Sequence, residues 1–231
     1  MERHFDEELK DLKEKLLRMA GLAEDSIAKA VKALKDRDEA LVGQVFEQEE
    51  RINLLEIEIE EVCLRLLALR QPMAGDLRFI ASAMKIGSEL ERIGDQSVNI
   101  AERTTELLKV PLLKPLIDIP RMAGLAQAMV VDSINAFVNR DAELARQICA
   151  RDDEVDQINH QIFRELLTYM MEDPATIPRA VELILIGRHL ERIADHATNI
   201  GEDVIYLVKG DRKSTRLNSS HTRLSRMPSS A

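Results

Sequence analysis

Glu91, Asp95, Asn99 and Glu102 follow one another at intervals of four, four and three residues, and Glu191, Asp195, Asn199 and Glu202 repeat the same types one hundred positions later. On a helix each residue turns about 100°, so with Glu91 at zero, Glu102 falls near 20°, Asp95 near 40° and Asn99 near 80°. Oxygens one turn apart can converge on a shared point, and convergent carboxylates with an amide oxygen suit a hard or borderline cation. Without a cation, like charges one turn apart repel by a few tenths of a kcal/mol. An acidic stripe is ordinarily a solvated helix face. A solvated face, however, accepts Lys, Gln or Ser, whereas these positions keep their residue types in both copies. His196, beside Asp195, offers a nitrogen ligand in the second copy only, since Gln96 is its counterpart. His160 and His189 read as helix-surface histidines, and Arg92 and Arg192 as members of surface ion pairs.

The elements that must position this stripe are themselves duplicated. Residues 86–102 and 186–202 share ten identities in seventeen positions. Residues 19–38 align on 122–141 without gaps, an offset of 103 that continues over 50–67 against 153–171 with minor drift. The offset falls to 102 at Pro72 and Pro174 and to 100 at the acidic motif, as expected where turns absorb deletions. Two copies of about a hundred residues each follow. Apolar positions such as Ile52, Leu55, Ile59, Val62 and Leu66 recur at helical spacing, and Asp-rich or Pro-containing breaks punctuate them. The pattern predicts helices over about 4–35, 39–70, 76–109, 121–138, 141–171 and 177–209. VPLLKPLIDIP at 110–120 reads as the link. The expected fold is all-α: two tandem three-helix bundles, six helices in all, related by internal duplication. The units are 1–109, the 110–120 linker, 121–210 and a tail at 211–231. Ile86, Leu90, Ile93, Ile100 and Leu107 fall between about 160° and 260° on the same wheel, so the aliphatic stripe faces the core and the acidic one faces away from it.

Composition narrows the classes. Apolar residues are 45% and charged residues 32% of the 231, with few glycines and prolines, which suits long amphipathic helices. The stretch 212–231 carries five basic residues, no acid and no helical periodicity, and it resembles translated vector or adaptor sequence. Without it the chain has 27 basic and 41 acidic residues, a net charge near −14. Such a body does not suit nucleic acid, whose phosphates require clustered Lys and Arg. No apolar run is long enough to insert in a membrane, and MERHFDEELK lacks a signal core, which points to the cytoplasm. Cys63 and Cys149 read as small core residues. A carboxylate-bridged bundle enzyme would use Glu-x-x-His elements in its core, and none occurs.

ALRQPMAGDLR at 68–78, LERIGDQSVNI at 90–100 and MEDPATIPRAVELILIGRHLERIADHATNI at 171–200 closely resemble the PhoU family of phosphate-specific transport accessory proteins. The resemblance spans essentially all of 1–210 in the family's order. It implies a non-enzymatic cytoplasmic adaptor between the ATPase subunit of a phosphate ABC transporter and a phosphate-sensing histidine kinase. Such a protein restrains phosphate-starvation signalling and is commonly a homodimer. The family's acidic E/D-x-x-x-D motif, here Glu91 to Asp95 and Glu191 to Asp195, implies bound metal. The resemblance leaves open whether that metal is Fe, Zn, Mg or Mn.

Overall fold

In the computed structural model, residues 2–70, 72 and 74–209 are described; the expected tail lies outside them. The chain forms α1 (Glu2–Asp36), α2 (Glu39–Arg70), α3 (Ala74–Leu108), α4 (Asp118–Asn139), α5 (Ala142–Glu172) and α6 (Ile177–Lys209), with a 3-10 turn at Pro174–Thr176 before α6. No strand occurs among the described residues. The two halves are three-helix bundles, α1–α3 and α4–α6, as the periodicity requires.

The helix breaks have local causes. Asp38 accepts a hydrogen bond from the Ala40 amide at 2.9 Å, and Asp141 accepts from Glu143 and Leu144 at 2.9 and 3.0 Å, so an aspartate caps the start of both second helices. The preceding Arg37 and Arg140 take left-handed backbone angles, φ 56° and 52°. Arg37 then reaches across the bundle and donates to the carbonyls of Leu107 and Leu108, capping the end of α3.

Two features differ from the sequence expectation, the start of α4 and the 3-10 turn before α6. The linker is shorter than 110–120, because α4 begins at Asp118 and takes Pro120 into its first turn. Proline is compatible there, since amides in the first turn have no intrahelical acceptor. The second difference explains the shift in repeat offset. Glu91 lies 17 residues into α3 but Glu191 only 14 into α6, and the 3-10 turn replaces the missing helical turn.

The bundles are joined over wide areas. α3 packs on α6 and α1 on α4. Phe79 of α3 stacks on Phe137 of α4 with centroids 4.7 Å apart. Ile86, Leu90, Ile93 and Ile100 are fully buried, as are Ile186, Leu190, Ile193 and Ile200, so the aliphatic stripe of each third helix faces the core. Cys63 and Cys149 are buried free thiols, pushed up to about 12 and about 11 chiefly by burial. No helix among the described residues is long and apolar enough to cross a membrane.

Candidate metal centre

Glycine sets how closely the second and third helices of each bundle approach. A Cβ on Gly87 would meet Ile59 at 3.4 Å, and one on Gly94 would meet Ile52 at 3.1 Å. This contact fixes an antiparallel register in which Glu91 and Asp95 lie near Glu49 and Glu56 of α2, with Asn53 bonded to Glu49. In the second bundle Gly187 faces Asn159, whose Oδ1 lies 2.8 Å from the Cβ that glycine lacks. There Glu191 and Asp195 lie against Asp152, Asp156 and Asn159 of α5. The α2 and α5 residues correspond at the offset of 103.

Within each groove the acids act on one another electrostatically. Burial raises the Glu91 carboxyl above its ordinary value, and Asp95, Glu56 and Glu49 raise it further. Asp95 is raised by burial and by Glu49, and Glu56 by burial, Glu60 and Asp95. The Arg92 guanidinium beside them partly offsets the repulsion on Glu56 and Glu91. In the second groove Asp152 is raised to about 7 by burial and then by Asp195 and Asp156, against a favourable contribution from the Thr198 hydroxyl. Amides relieve part of the charge: Asn53 donates to Glu49, and Asn159 Nδ2 donates to Glu191 at 2.8 Å.

The stripe is therefore not a plainly solvated face. Glu91, Asp95 and Asn99 are half-buried, as are Glu191, Asp195 and Glu202, while Glu102 and Asn199 are exposed. The grooves bring together Glu91 with Asp95 and Glu191 with Asp195. They leave Glu102 aside, exposed and 3.5 Å from Arg103. Glu202 lies near Cys149 and Asp203 instead. Asn199 donates to Glu89 at 3.1 Å across the seam between α3 and α6.

The histidines also belong to that seam. His196 Nδ1 meets Glu89 at 2.7 Å, and His189 Nδ1 meets Gln96 at 2.9 Å. These two contacts are equivalent by the offset of one hundred, so a pseudo-two-fold axis runs between α3 and α6. His189, expected on the surface, is half-buried, and burial followed by Arg192, Arg103 and Arg188 pushes it down to about 4. His160 is exposed as expected. Arg92 and Arg192 are exposed.

The donor set fits a hard cation in kind: four carboxylates and one amide in each groove, with Asn53 Oδ1 buried and without a hydrogen-bond partner. It is not preformed in position. Among the described residues, no group of three or more His, Cys, Asp or Glu already converges on a point that could hold a metal ion. Rotation of the flexible Glu and Asp side chains is needed to close a coordination shell. The α2 and α5 contributors were not singled out in the sequence because they keep acidity without identity: Glu49 against Asp152, Asn53 against Asp156, Glu56 against Asn159. The offset of 103 would have found them.

Known proteins agree with this architecture. The family model described as the PhoU domain matches twice, at residues 16–104 and 119–204. A phosphate-specific transport system accessory protein PhoU homolog of Aquifex aeolicus is 45% identical over 204 residues, covering 88% of this chain and 92% of the relative. The Pseudomonas aeruginosa homolog of the same description is 44% identical over 207 residues, covering 89% and 86%. The crystal structure of PhoU from Pseudomonas aeruginosa superposes with a TM-score of 0.86 at 43% identity, covering 90% of this chain and all of that one. The phosphate transport system regulatory protein PhoU from Streptococcus pneumoniae gives a TM-score of 0.83 at 33% identity, covering 90% and 98%. These relatives are named as accessory and regulatory proteins, not as enzymes.

Proposed function

The chain belongs to the PhoU family, and from that premise we propose that it is a cytoplasmic regulator of phosphate transport. It restrains phosphate-starvation signalling as an adaptor between the ATPase subunit of a phosphate ABC transporter and a sensor histidine kinase. Relatives named as accessory proteins of the phosphate-specific transport system support this reading across nearly the whole chain. The observation that carries the metal part is the duplicated acidic groove, in which burial and mutual repulsion raise carboxyls in both copies.

In this reading each groove holds a cation, through Glu49, Glu56, Glu91 and Asp95 in one bundle and Asp152, Asp156, Glu191 and Asp195 in the other. Asn53 and Asn159 are the amide donors. A cation bound there cancels the repulsion and ties the second helix of each bundle to the third. The chain's own contribution is to hold the acids on two rigid helices at glycine-set spacing. The oxygen donors admit Mg or Mn and do not exclude Fe or Zn. Self-association as a homodimer belongs to the same proposal.

The adaptor role is tested by deleting the gene and measuring phosphate-starvation gene expression in abundant phosphate. Expression should rise, and purified protein should bind the ATPase subunit and the kinase. Unchanged expression together with no binding to either would overturn the reading.

A further inference from the structure

The outer face of α2 is apolar where a surface helix should be polar. Phe46, Leu54, Ile57 and Leu64 are 39%, 62%, 53% and 51% exposed. On the helical wheel they fall within about 80° of one another. From Phe46 to Leu64 the stripe runs about 27 Å at 1.5 Å per residue. The centre of the stripe is peculiar to the first bundle: the α5 positions matching Leu54 and Ile57 are Gln157 and His160, whereas Phe46 and Leu64 match Cys149 and Leu167. Single exposed leucines need no explanation, but four large apolar side chains on one face of one helix do.

The charges around the stripe say what covers it. Glu50 and Glu61 lie within it, Glu47 at one edge and Glu60 at the other, all exposed. None of the four is in an ion pair among the described residues, whereas Glu58 nearby is held by Lys15 at 2.6 Å. The edge toward α3 continues into the acidic groove of Glu49, Glu56 and Glu91. A second copy of this chain does not match that pattern. A parallel two-fold pairing of α2 helices would set Glu50 on Glu50 and Glu61 on Glu61. An antiparallel one would set acidic edge against acidic edge. An anionic bilayer is repelled by the same acids.

We propose that the outer face of α2 is the docking surface for an amphipathic helix of a partner protein. That helix presents apolar side chains at intervals of three, four and seven residues, flanked by Lys and Arg. A helix is the shape that lies along a straight apolar stripe of five turns, and basic flanks complement Glu47, Glu50, Glu60 and Glu61. The inference rests on the reading of the chain as an adaptor, and it assigns the partner-facing surface to the first bundle. Because the acidic edge is shared with the first groove, a cation bound there lowers the charge available to the partner.

The test uses the full chain and two synthetic 21-residue helical peptides, both with leucines at this spacing, one flanked by lysines and the other by glutamates. Fluorescence anisotropy should show saturable binding of the lysine peptide, weakening with salt, and none of the glutamate peptide. The Ile57→Ser and paired Glu50→Lys, Glu61→Lys proteins should each bind the lysine peptide about tenfold more weakly, as expected for a central contact. A Gln157→Ser, His160→Ser protein should bind it like the parent. Ile57 is already half open to solvent, so its replacement leaves the fold intact, which circular dichroism verifies. Three results overturn the proposal: no binding of the lysine peptide, equal binding of both peptides, or undiminished binding by Ile57→Ser. So does a change in sedimentation or in binding to anionic vesicles on Ile57→Ser, which would put a second copy or a membrane on this face. Normal starvation control in cells carrying Ile57→Ser, with peptide binding lost in the purified protein, would count against the adaptor reading rather than this surface.

Discussion

The first groove sets Glu49, Asn53 and Glu56 against Glu91 and Asp95, and the second sets Asp152, Asp156 and Asn159 against Glu191 and Asp195. Each holds four carboxylates and one amide, but the amide has moved by one helical turn and the facing Glu49 has become the shorter Asp152. A short carboxylate lies closer to the helix surface and less in water, and its neighbours Asp195 and Asp156 add to the effect. Asp152 therefore reaches about 7, while the acids of the first groove are raised without a comparable displacement. The duplication has preserved a charge count and let its geometry diverge. Packing has diverged in the same compensated way: Gly94 faces Ile52, and Ala194 stands where the matching partner is the smaller Val155.

If only the grooves differ, the scaffold beneath them should respond alike. Ile93→Ala and Ile193→Ala, both fully buried, should each cost about 3 kcal/mol in denaturant unfolding. They should do so in one shared transition, because α3 and α6 pack against each other. Separate transitions for the two bundles would break the comparison at its base. Next in size is ligand stabilisation. A divalent cation at a hundredfold excess over its dissociation constant should add about 2.7 kcal/mol per site, and a Glu191→Ala, Asp195→Ala protein should lose the contribution of its groove alone.

The pH response should separate the grooves. A carboxyl raised in the folded state keeps a proton that the unfolded chain has lost. The resulting penalty is absent below about pH 4, grows toward pH 7 and is constant above it. Asp152→Asn should thus stabilise the cation-free protein at pH 8 by about 1–2 kcal/mol after allowance for access of water, and by nothing at pH 4. Asp95→Asn should give a smaller gain in the same direction. The smallest effect concerns packing. Gly94→Ala should change stability by less than about 1 kcal/mol, since helix propensity gains what the crowded Ile52 loses. Gly94→Ala with Ile52→Val should be more stable than Gly94→Ala alone, because it recreates the second bundle's pair.

The six helices were legible because aliphatic residues such as Ile52, Leu55 and Ile59 repeat at helical spacing and aspartates mark the breaks. The start of α4 was not, since Pro120 reads as a breaker unless its place in a first turn is known. Glu91, Asp95, Glu191 and Asp195 were legible because identity survived duplication. Their partners were hidden by exchange of Glu, Asp and Asn among equivalent positions. A wheel also cannot tell which acids of a stripe lie opposite acids on another helix. Only the antiparallel register separates Glu91, beside Glu56, from Glu102, beside Arg103. The histidine pairs of the seam were hidden for a similar reason, because Glu89 meets His196 and Gln96 meets His189 only when the two copies are folded face to face.

The most direct test of the paired grooves is calorimetric titration of the cation-free protein with Mn at pH 7, repeated in buffers of different ionisation enthalpy. Two sites should appear, one lost on Glu91→Ala, Asp95→Ala and the other on Glu191→Ala, Asp195→Ala. Proton release should accompany mainly the second, where burial, Asp195 and Asp156 raise Asp152 to about 7. Titration curves left unchanged by both pairs of substitutions, or no heat of binding at all, would contradict the account.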